Sequence, residues 1–366
     1  MKILFYLGHP AHYHLFKIAI ILLGEKGHQV TILLKTKDVL QRLLEDEHVP
    51  FVNINAGGRG DSKIQIALGL LKRDVQMTWQ CFKNRPDVMV GTSVEISHVG
   101  MLLHIPSIVV NEDDFDAVPL FSKLGYPLAS IILAPQSCPT GPWEYKTFHY
   151  PGYHELAYLS PAHFKPVKDL LRPYFNPDQP YMILRFAKLT AHHDQGKTGL
   201  TTGLARKIID LVSSRFQVWI TSEKELDNEF QAHRLPLPPS LIHHALYFAH
   251  FYVGDSQTMA AEAAVLGTPS VRFNDFVGKL GYLEELESKY GLTTGIKTSE
   301  PEKLIDTVNY LISSSDTKLQ WKNRRDYLLD QTVDLSKLMV WLIENQEIVL
   351  SMPDLEKSEL FNRFKN

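Results

Sequence analysis

The chain has 366 residues, enough for about two domains at roughly 150 residues each. Hydrophobic residues make up 44% and charged residues 22%, which excludes a mainly disordered or collagen-like chain. The formal net charge of −3 offers no global basic field for nucleic acid, and two cysteines, Cys81 and Cys138, cannot build a disulfide framework or a Cys-rich zinc site. A reduced, cytoplasmic setting is the simplest expectation. The run Ile3–Leu7 is broken by Gly8-His9-Pro10 too early for an export signal. Ile18–Leu23 is far short of the roughly 20 apolar residues that a spanning helix needs, so only peripheral contact with the inner membrane face stays open.

Strands and helices alternate from the start. Ile3–Leu7 reads as a strand, and His12–Lys26 as a helix with an apolar stripe at Leu15, Ile18, Ala19, Leu22 and Leu23, closed by Gly27. Strand Val30–Leu34, helix Asp38–Leu44 and strand Val88–Val90 follow, then helix Val94–Leu103 and strands Ser107–Val110 and Ile131–Leu133. Between them, Gly57-Gly58-Arg59-Gly60-Asp61 is a flexible loop. It leads into helix Lys63–Phe82, where Ile64, Leu68, Leu71, Val75 and Trp79 line one side, expected to face the core, and Lys72-Arg73 another. Near-continuous apolar strands without polar alternation point to a parallel sheet covered on both faces. Prolines at 161, 166, 173, 177 and 180 mark an interdomain connection. Alternation resumes with strand Tyr181–Phe186, helix Gly199–Ser213 and strands Gln217–Ile220 and Phe251–Val253; helix Ser256–Leu266 and strand Pro269–Phe273 follow. From Pro301 only helical patterns remain.

The expected fold class is therefore α/β, with two doubly wound Rossmann-like domains facing a central cleft. Residues 1–160 form the first domain, 161–180 a linker, 181–350 the second domain with terminal helices, and 351–366 a polar tail prone to fray. Ligands of open parallel sheets bind at the carboxyl ends of the strands, so the loops after strands are where chemistry belongs.

The most informative segment is Phe251-Tyr-Val-Gly-Asp-Ser-Gln-Thr-Met-Ala-Ala-Glu-Ala-Ala-Val-Leu-Gly-Thr-Pro. A strand ends at Gly254, and Asp255 or Ser256 caps the next helix. Amides of Ser256, Gln257 and Thr258, backed by the helix dipole, suit a diphosphate. Glu262 lies on the face of Thr258 one turn on, where it could accept both hydroxyls of a ribose.

This block resembles the Asp-Ser-Gly-Gly-x-x-Glu-Glu-Ala-x-x-Leu-Gly-x-Pro segment of UDP-N-acetylglucosamine 2-epimerases and related GT-B-fold glycosyltransferases. Asp255, Ser256, Glu262, Ala263, Leu266, Gly267 and Pro269 match, and Gln257-Thr258 replace the Gly-Gly. The resemblance implies diphosphate binding at the Ser-Gly-Gly amides, ribose binding at the second Glu, and a UDP-sugar in preference to other nucleotides. Pro10-x-His12-x-His14-x-Phe16-Lys17, Tyr150–Leu159 and Ala191-His-His-Asp194 together resemble a little-characterised GT-B-like family, grouped by fold with those enzymes.

On the other side of the expected cleft, Gly8 and His12 or His14 follow the first strand. A histidine with an unperturbed pKa of about 6.5 there suits a general base. Glu112, Asp113, Asp114 and Asp116 crowd a strand end, which raises at least one carboxyl pKa; Glu112 and Asp114 are the candidates for acid or base. After strand Tyr181–Phe186, Arg185 or Lys188 could pair with phosphate and His193 could contact the sugar or act as an acid. Gly196-Lys197-Thr198 lacks the earlier glycine of a P-loop.

Three readings compete. The first is a nucleotide-sugar-dependent GT-B glycosyltransferase in surface polysaccharide or glycoconjugate synthesis, inverting, with His12 or Glu112/Asp114 as base. The second is a UDP-N-acetylglucosamine 2-epimerase-like isomerase, although His9, His14 and Gly91-Thr92-Ser93 stand where that class carries Arg, Lys and an acid. The third is a non-catalytic GT-B shell used for binding. No metal and no further cofactor is expected, since fixed positive groups offset the diphosphate. A glycan or lipid-linked acceptor and a homodimer are left open.

Overall fold

Ile3 to Leu7 have both their odd and their even side chains buried, because the strand they form is covered on two faces. A computed structural model of the chain describes residues 1–35, 39–54, 63–186, 199–222, 225–314 and 316–366. The chain divides into two units, Met1–Tyr158 with Thr332–Asn366, and Leu159–Gln331.

The first unit is a seven-stranded parallel sheet in the order β3-β2-β1-β4-β5-β6-β7. Its strands are β1 (Lys2–Leu7), β2 (Gln29–Leu34), β3 (Val52–Asn53), β4 (Val88–Gly91), β5 (Ser107–Val110), β6 (Ile131–Pro135) and β7 (Thr147–Tyr150). The connecting helices are α1 (Pro10–Glu25), α2 (Val39–Asp46), α3 (Lys63–Lys83), α4 (Val94–Leu103) and α5 (Pro119–Gly125), with α6 (Leu156–Leu159) after β7. On one sheet face Ile3, Phe5 and Leu7 join Leu15, Phe16 and Ala19 of α1 in one apolar cluster. On the other, Leu4 and Tyr6 join Met77 and Cys81 of α3 and Ile96 and Val99 of α4. The helix expected over His12–Lys26 starts two residues earlier, since His9 Nδ1 accepts from the Ala11 amide (3.2 Å) and Pro10 suits the first turn. Gly27, at φ +83°, supplies the left-handed residue beyond its end.

The second unit is a five-stranded parallel sheet in the order β12-β11-β10-β8-β9. Its strands are β8 (Tyr181–Phe186), β9 (Gln217–Ser222), β10 (Tyr252–Gly254), β11 (Ser270–Phe273) and β12 (Thr293–Ile296). Its helices are α7 (Thr202–Val212), α8 (Ile242–Phe248), α9 (Gln257–Leu266), α10 (Gly281–Ser288), α11 (Pro301–Ser313) and α12 (Thr317–Gln331). Ala260, Ala261, Ala263 and Ala264 of α9 are fully buried; their small side chains let that helix lie close against the strands.

Three expectations from the sequence are corrected. Residues 332–350, expected in the second domain, lie in the first unit. There α13 (Leu335–Glu344) buries Leu338, Met339 and Leu342 in the cluster of Ile3 and Phe5, because a helix apolar on nearly every face needs cover on every face. Residues 351–366 are no fraying tail: α14 (Asp354–Arg363) buries Leu360, and Phe361 meets Phe148 edge-on at 5.9 Å. Residues 161–180 are more than a linker: they belong to the second unit, bury Leu171, and carry Asp178 between Lys168 (2.7 Å) and Arg172 (2.6 Å).

The face of α3 is the fourth correction. Leu68, Leu71, Val75 and Trp79, expected in the core, are each at least 60% exposed, and Met77 and Cys81 pack inward instead. Among the described residues no helix is long and apolar enough to cross a membrane.

Candidate functional site

In the first unit the chain leaves β1 to one side for β2 and returns on the other side for β4, so the β1 and β4 ends form a switch point where loops diverge. Gly8 leaves β1 there, and His12 stands on the first turn of α1. The Gly8 amide donates to His12 Nδ1 (3.2 Å), and Thr92, just after β4, places Oγ1 2.8 Å from each ring nitrogen. Burial pushes His12 down to about 3, helped by His9, His154 and Lys35. The ring expected to titrate near 6.5 is thus held neutral at physiological pH, with Nδ1 accepting from the Gly8 amide. His14 turns away from this pair and packs its ring against Tyr158 (5.4 Å), as two residues on a helix lie on roughly opposite sides.

Glu95, on α4, is almost fully buried within the same edge. Burial would raise its carboxyl, but Lys35 (3.6 Å) and Arg73 (2.6 Å) outweigh that and hold it below the ordinary value. Sequence reasoning passed over Glu95, since its partners come from α3 and the β2 end.

After β5, Asn111 and the backbone of Asp113 and Asp114 take part in the turn that carries the carboxylates. The amide of Asn111 donates to the Asp113 carbonyl (2.7 Å) and to the Tyr126 hydroxyl (2.8 Å). The Asp114 carbonyl closes a turn on the Ala117 amide (2.9 Å), and Asp116 is exposed. Glu112 reaches across to the β7 end: Oε2 accepts from the His154 amide (3.1 Å) and Oε1 lies 3.3 Å from His154 Nδ1. Burial pushes His154 down to about 4, against the pull of Glu155 and Asp113. A neutral His154 that presents Nδ1–H to Glu112 keeps its lone pair on Nε2, a buried atom with no hydrogen-bond partner among the described residues. His154 lies in the Tyr150–Leu159 block; its place just beyond a strand end was the signal that could have found it. Cys138 is no nucleophile here, because burial, then Glu112 and Asp114, hold its thiol well above the usual range.

In the second unit the switch point lies between β8 and β10, where Arg185 and Gly254 are register partners. A Cβ on Gly254 would stand 2.7 Å from the Arg185 Cβ, so this glycine is what lets Arg185 lie beside the strand end. Asp255 braces the loop: Oδ2 accepts from the Leu200 amide (3.1 Å) and its carbonyl from Asn274 Nδ2 (3.1 Å). Ser256 is the cap of α9, accepting from the Met259 amide (3.4 Å). The amides of Gln257 and Thr258 fall in the first turn, where a helix supplies no partner. Glu262 is buried one turn on and meets His243 Nε2, on α8, at 2.9 Å. His243 was missed, because nothing in the sequence ties it to a residue 19 positions away. Arg185 Nη1 donates to Thr221 Oγ1 (3.4 Å). Lys188 and His193, with the rest of 187–198, lie outside the described residues, as does the Gly57–Asp61 loop. A cavity of about 690 Å³ in this unit is lined by Thr201, Arg206, Lys207, Phe273 and Thr298, and among the described residues by none of those expected from the sequence. Among the described residues no group of three or more His, Cys, Asp or Glu is placed to hold a metal ion.

A family model described as "Protein of unknown function (DUF354)" matches residues 1–334. No curated protein matches the chain in sequence. Solved structures do match in fold. A Staphylococcus aureus MnaA–UDP co-structure is 13% identical, with a TM-score of 0.68 over 96% of this chain and 98% of that one. The Methanocaldococcus jannaschii UDP-GlcNAc 2-epimerase in complex with UDP-GlcNAc and UDP is 16% identical, with a TM-score of 0.62 over 86% and 94%. The spinosyn rhamnosyltransferase SpnG, complexed with spinosyn aglycone, is 13% identical, with a TM-score of 0.60 over 95% and 100%. These likenesses establish the GT-B fold, and with it the α/β class expected from the sequence.

Proposed function

We propose that this chain, which belongs to the DUF354 family, is a GT-B glycosyltransferase that holds a nucleotide sugar at the carboxyl edge of its second sheet. The observation that carries this reading is the build of that edge. The capped start of α9 presents its first-turn amides, Glu262 is buried one turn on, and Arg185 stands at the neighbouring strand end. Amides and dipole suit a diphosphate, the carboxylate suits ribose hydroxyls, and the guanidinium offsets charge on the departing diphosphate. Uridine is favoured, since the S. aureus and M. jannaschii structures are named as holding UDP or UDP-GlcNAc.

For the proton taken from the acceptor hydroxyl, the arrangement favours His154 over His12. Its Nε2 keeps an unengaged lone pair in the neutral tautomer, and Glu112 orients the ring and would stabilise the cation that forms, as the carboxylate of a catalytic triad does. His12, held by Gly8 and Thr92, acts in positioning. Synthesis of a surface polysaccharide or glycoconjugate is the setting such a transfer suits. A 2-epimerase-like isomerisation is the second reading, favoured by the M. jannaschii structure, which is named as a UDP-GlcNAc 2-epimerase; product analysis with the donor alone separates the two.

The test is thermal unfolding of the wild type and of Glu262→Gln with UDP, GDP, CMP and ADP. A ligand at 100 times its Kd adds about 2.7 kcal/mol to a protein that binds it only when folded. We expect UDP to raise the Tm of the wild type and to lose that effect in Glu262→Gln. No shift with any nucleotide would overturn the reading and leave a non-catalytic GT-B shell in its place.

A further inference from the structure

The helix α3 is amphipathic the wrong way round for a helix that merely covers a sheet. Two of its charges turn inward: Arg73 Nε donates to the buried Glu95 (2.6 Å), and Asp74 meets His98 of α4 (3.0 Å). Its apolar stripe turns outward. Leu68, Leu71, Val75, Trp79 and Phe82 recur at helical spacing along one face, each between 60% and 69% exposed. At the far end Arg85 Nη2 donates to the Leu103 carbonyl (2.8 Å), tying the stripe's end to that of α4, where Met101 and Leu102 are also exposed. An apolar surface this long on one helix marks a place that something else covers.

Charge decides what covers it. Lys72 and Lys83 are exposed along one border of the stripe, and Lys83 Nζ stands 5.5 Å from the Trp79 ring. Asp74, the sole acid on the helix, faces away, bound to His98, whose pKa it raises. An antiparallel two-fold packing of this stripe would bring the same cationic border against itself. An anionic lipid surface is the complement: apolar residues and an indole enter the headgroup boundary while lysines meet phosphate. We infer that α3 docks the first unit onto an anionic membrane surface through the Leu68–Phe82 stripe, an inference independent of the nucleotide site.

The test is flotation of the full chain with vesicles of phosphatidylcholine alone and of equimolar phosphatidylcholine and phosphatidylglycerol. The wild type should float with the mixed vesicles and stay behind with the neutral ones, and added salt should release it. Leu71→Gln/Trp79→Gln and Lys72→Glu/Lys83→Glu should each lower the partition coefficient at least tenfold. Their positions are exposed, so an unchanged Tm confirms that folding is not the cause. Failure of the wild type to float with mixed vesicles would overturn the inference. So would a dimer, in sedimentation equilibrium of the free protein, that Leu71→Gln/Trp79→Gln dissociates, since the stripe would then belong to a second copy.

Discussion

His12 and His154 are both held neutral by burial at the carboxyl edge of the first sheet; His9, His154 and Lys35 add to it at His12, whereas Glu155 and Asp113 oppose it at His154. The folded chain therefore binds fewer protons at these rings than the unfolded chain does. The sign follows: their contribution to stability is complete above the unfolded value of 6.5 and is lost as pH falls through about 4 for His154 and about 3 for His12. We expect the Tm to decline steadily from pH 6.5 to 4, with a shallower slope in His154→Gln. A wild-type Tm flat over that range would refute the account. Ser256, Glu262 and Glu112 were legible in the sequence, because each stands next to a strand end or on a helix turn whose spacing can be counted. His243 and Glu95 were not, because their partners arrive from elements that spacing cannot place.

At the scale of elements, the β8–β10–α9 unit depends on close approach. Gly254→Ala would drive a Cβ into the Arg185 side chain and the Tyr252 hydroxyl, and we expect a cost of about 1–3 kcal/mol in denaturant unfolding. Any UDP-induced rise in Tm should shrink with it, as Arg185 is displaced. Unchanged stability would mean that the strand end is looser than its packing indicates. The helix α3 teaches the complementary point. Its period was correctly read as helical, but its orientation was not. A stripe of Leu, Val and Trp announces only that a face is apolar, and two ion pairs, Arg73–Glu95 and Asp74–His98, set which face turns inward. Of the strands that escaped notice, β3 has only two residues, and β7 (Thr-Phe-His-Tyr) and β12 (Thr-Thr-Gly-Ile) lack the unbroken apolar run by which equally short strands such as β5 are read.

At the scale of the molecule, the chain returns at the end to the unit in which it began. The Val333 amide donates to the Pro151 carbonyl (3.0 Å), Ser336 Oγ to the Ala157 carbonyl (2.8 Å), and α13 packs on α1. Leu338→Ala, at a fully buried position in the core of the first unit, should cost about 2–5 kcal/mol even though it lies 28 residues from the end of the chain. A loss under about 0.5 kcal/mol, the scale of a surface change, would contradict the placement of α13. By itself the sequence determined two parallel, doubly wound sheets and which loops leave the strand ends, because unbroken apolar strands and capped helices are local signals of burial on both faces. Only the tertiary structure decided which unit owns the last helices, which face of α3 meets solvent, and which histidine pairs with Glu112. Each of those depends on burial and charge supplied by residues far apart in the chain, and such contacts leave no mark in local spacing.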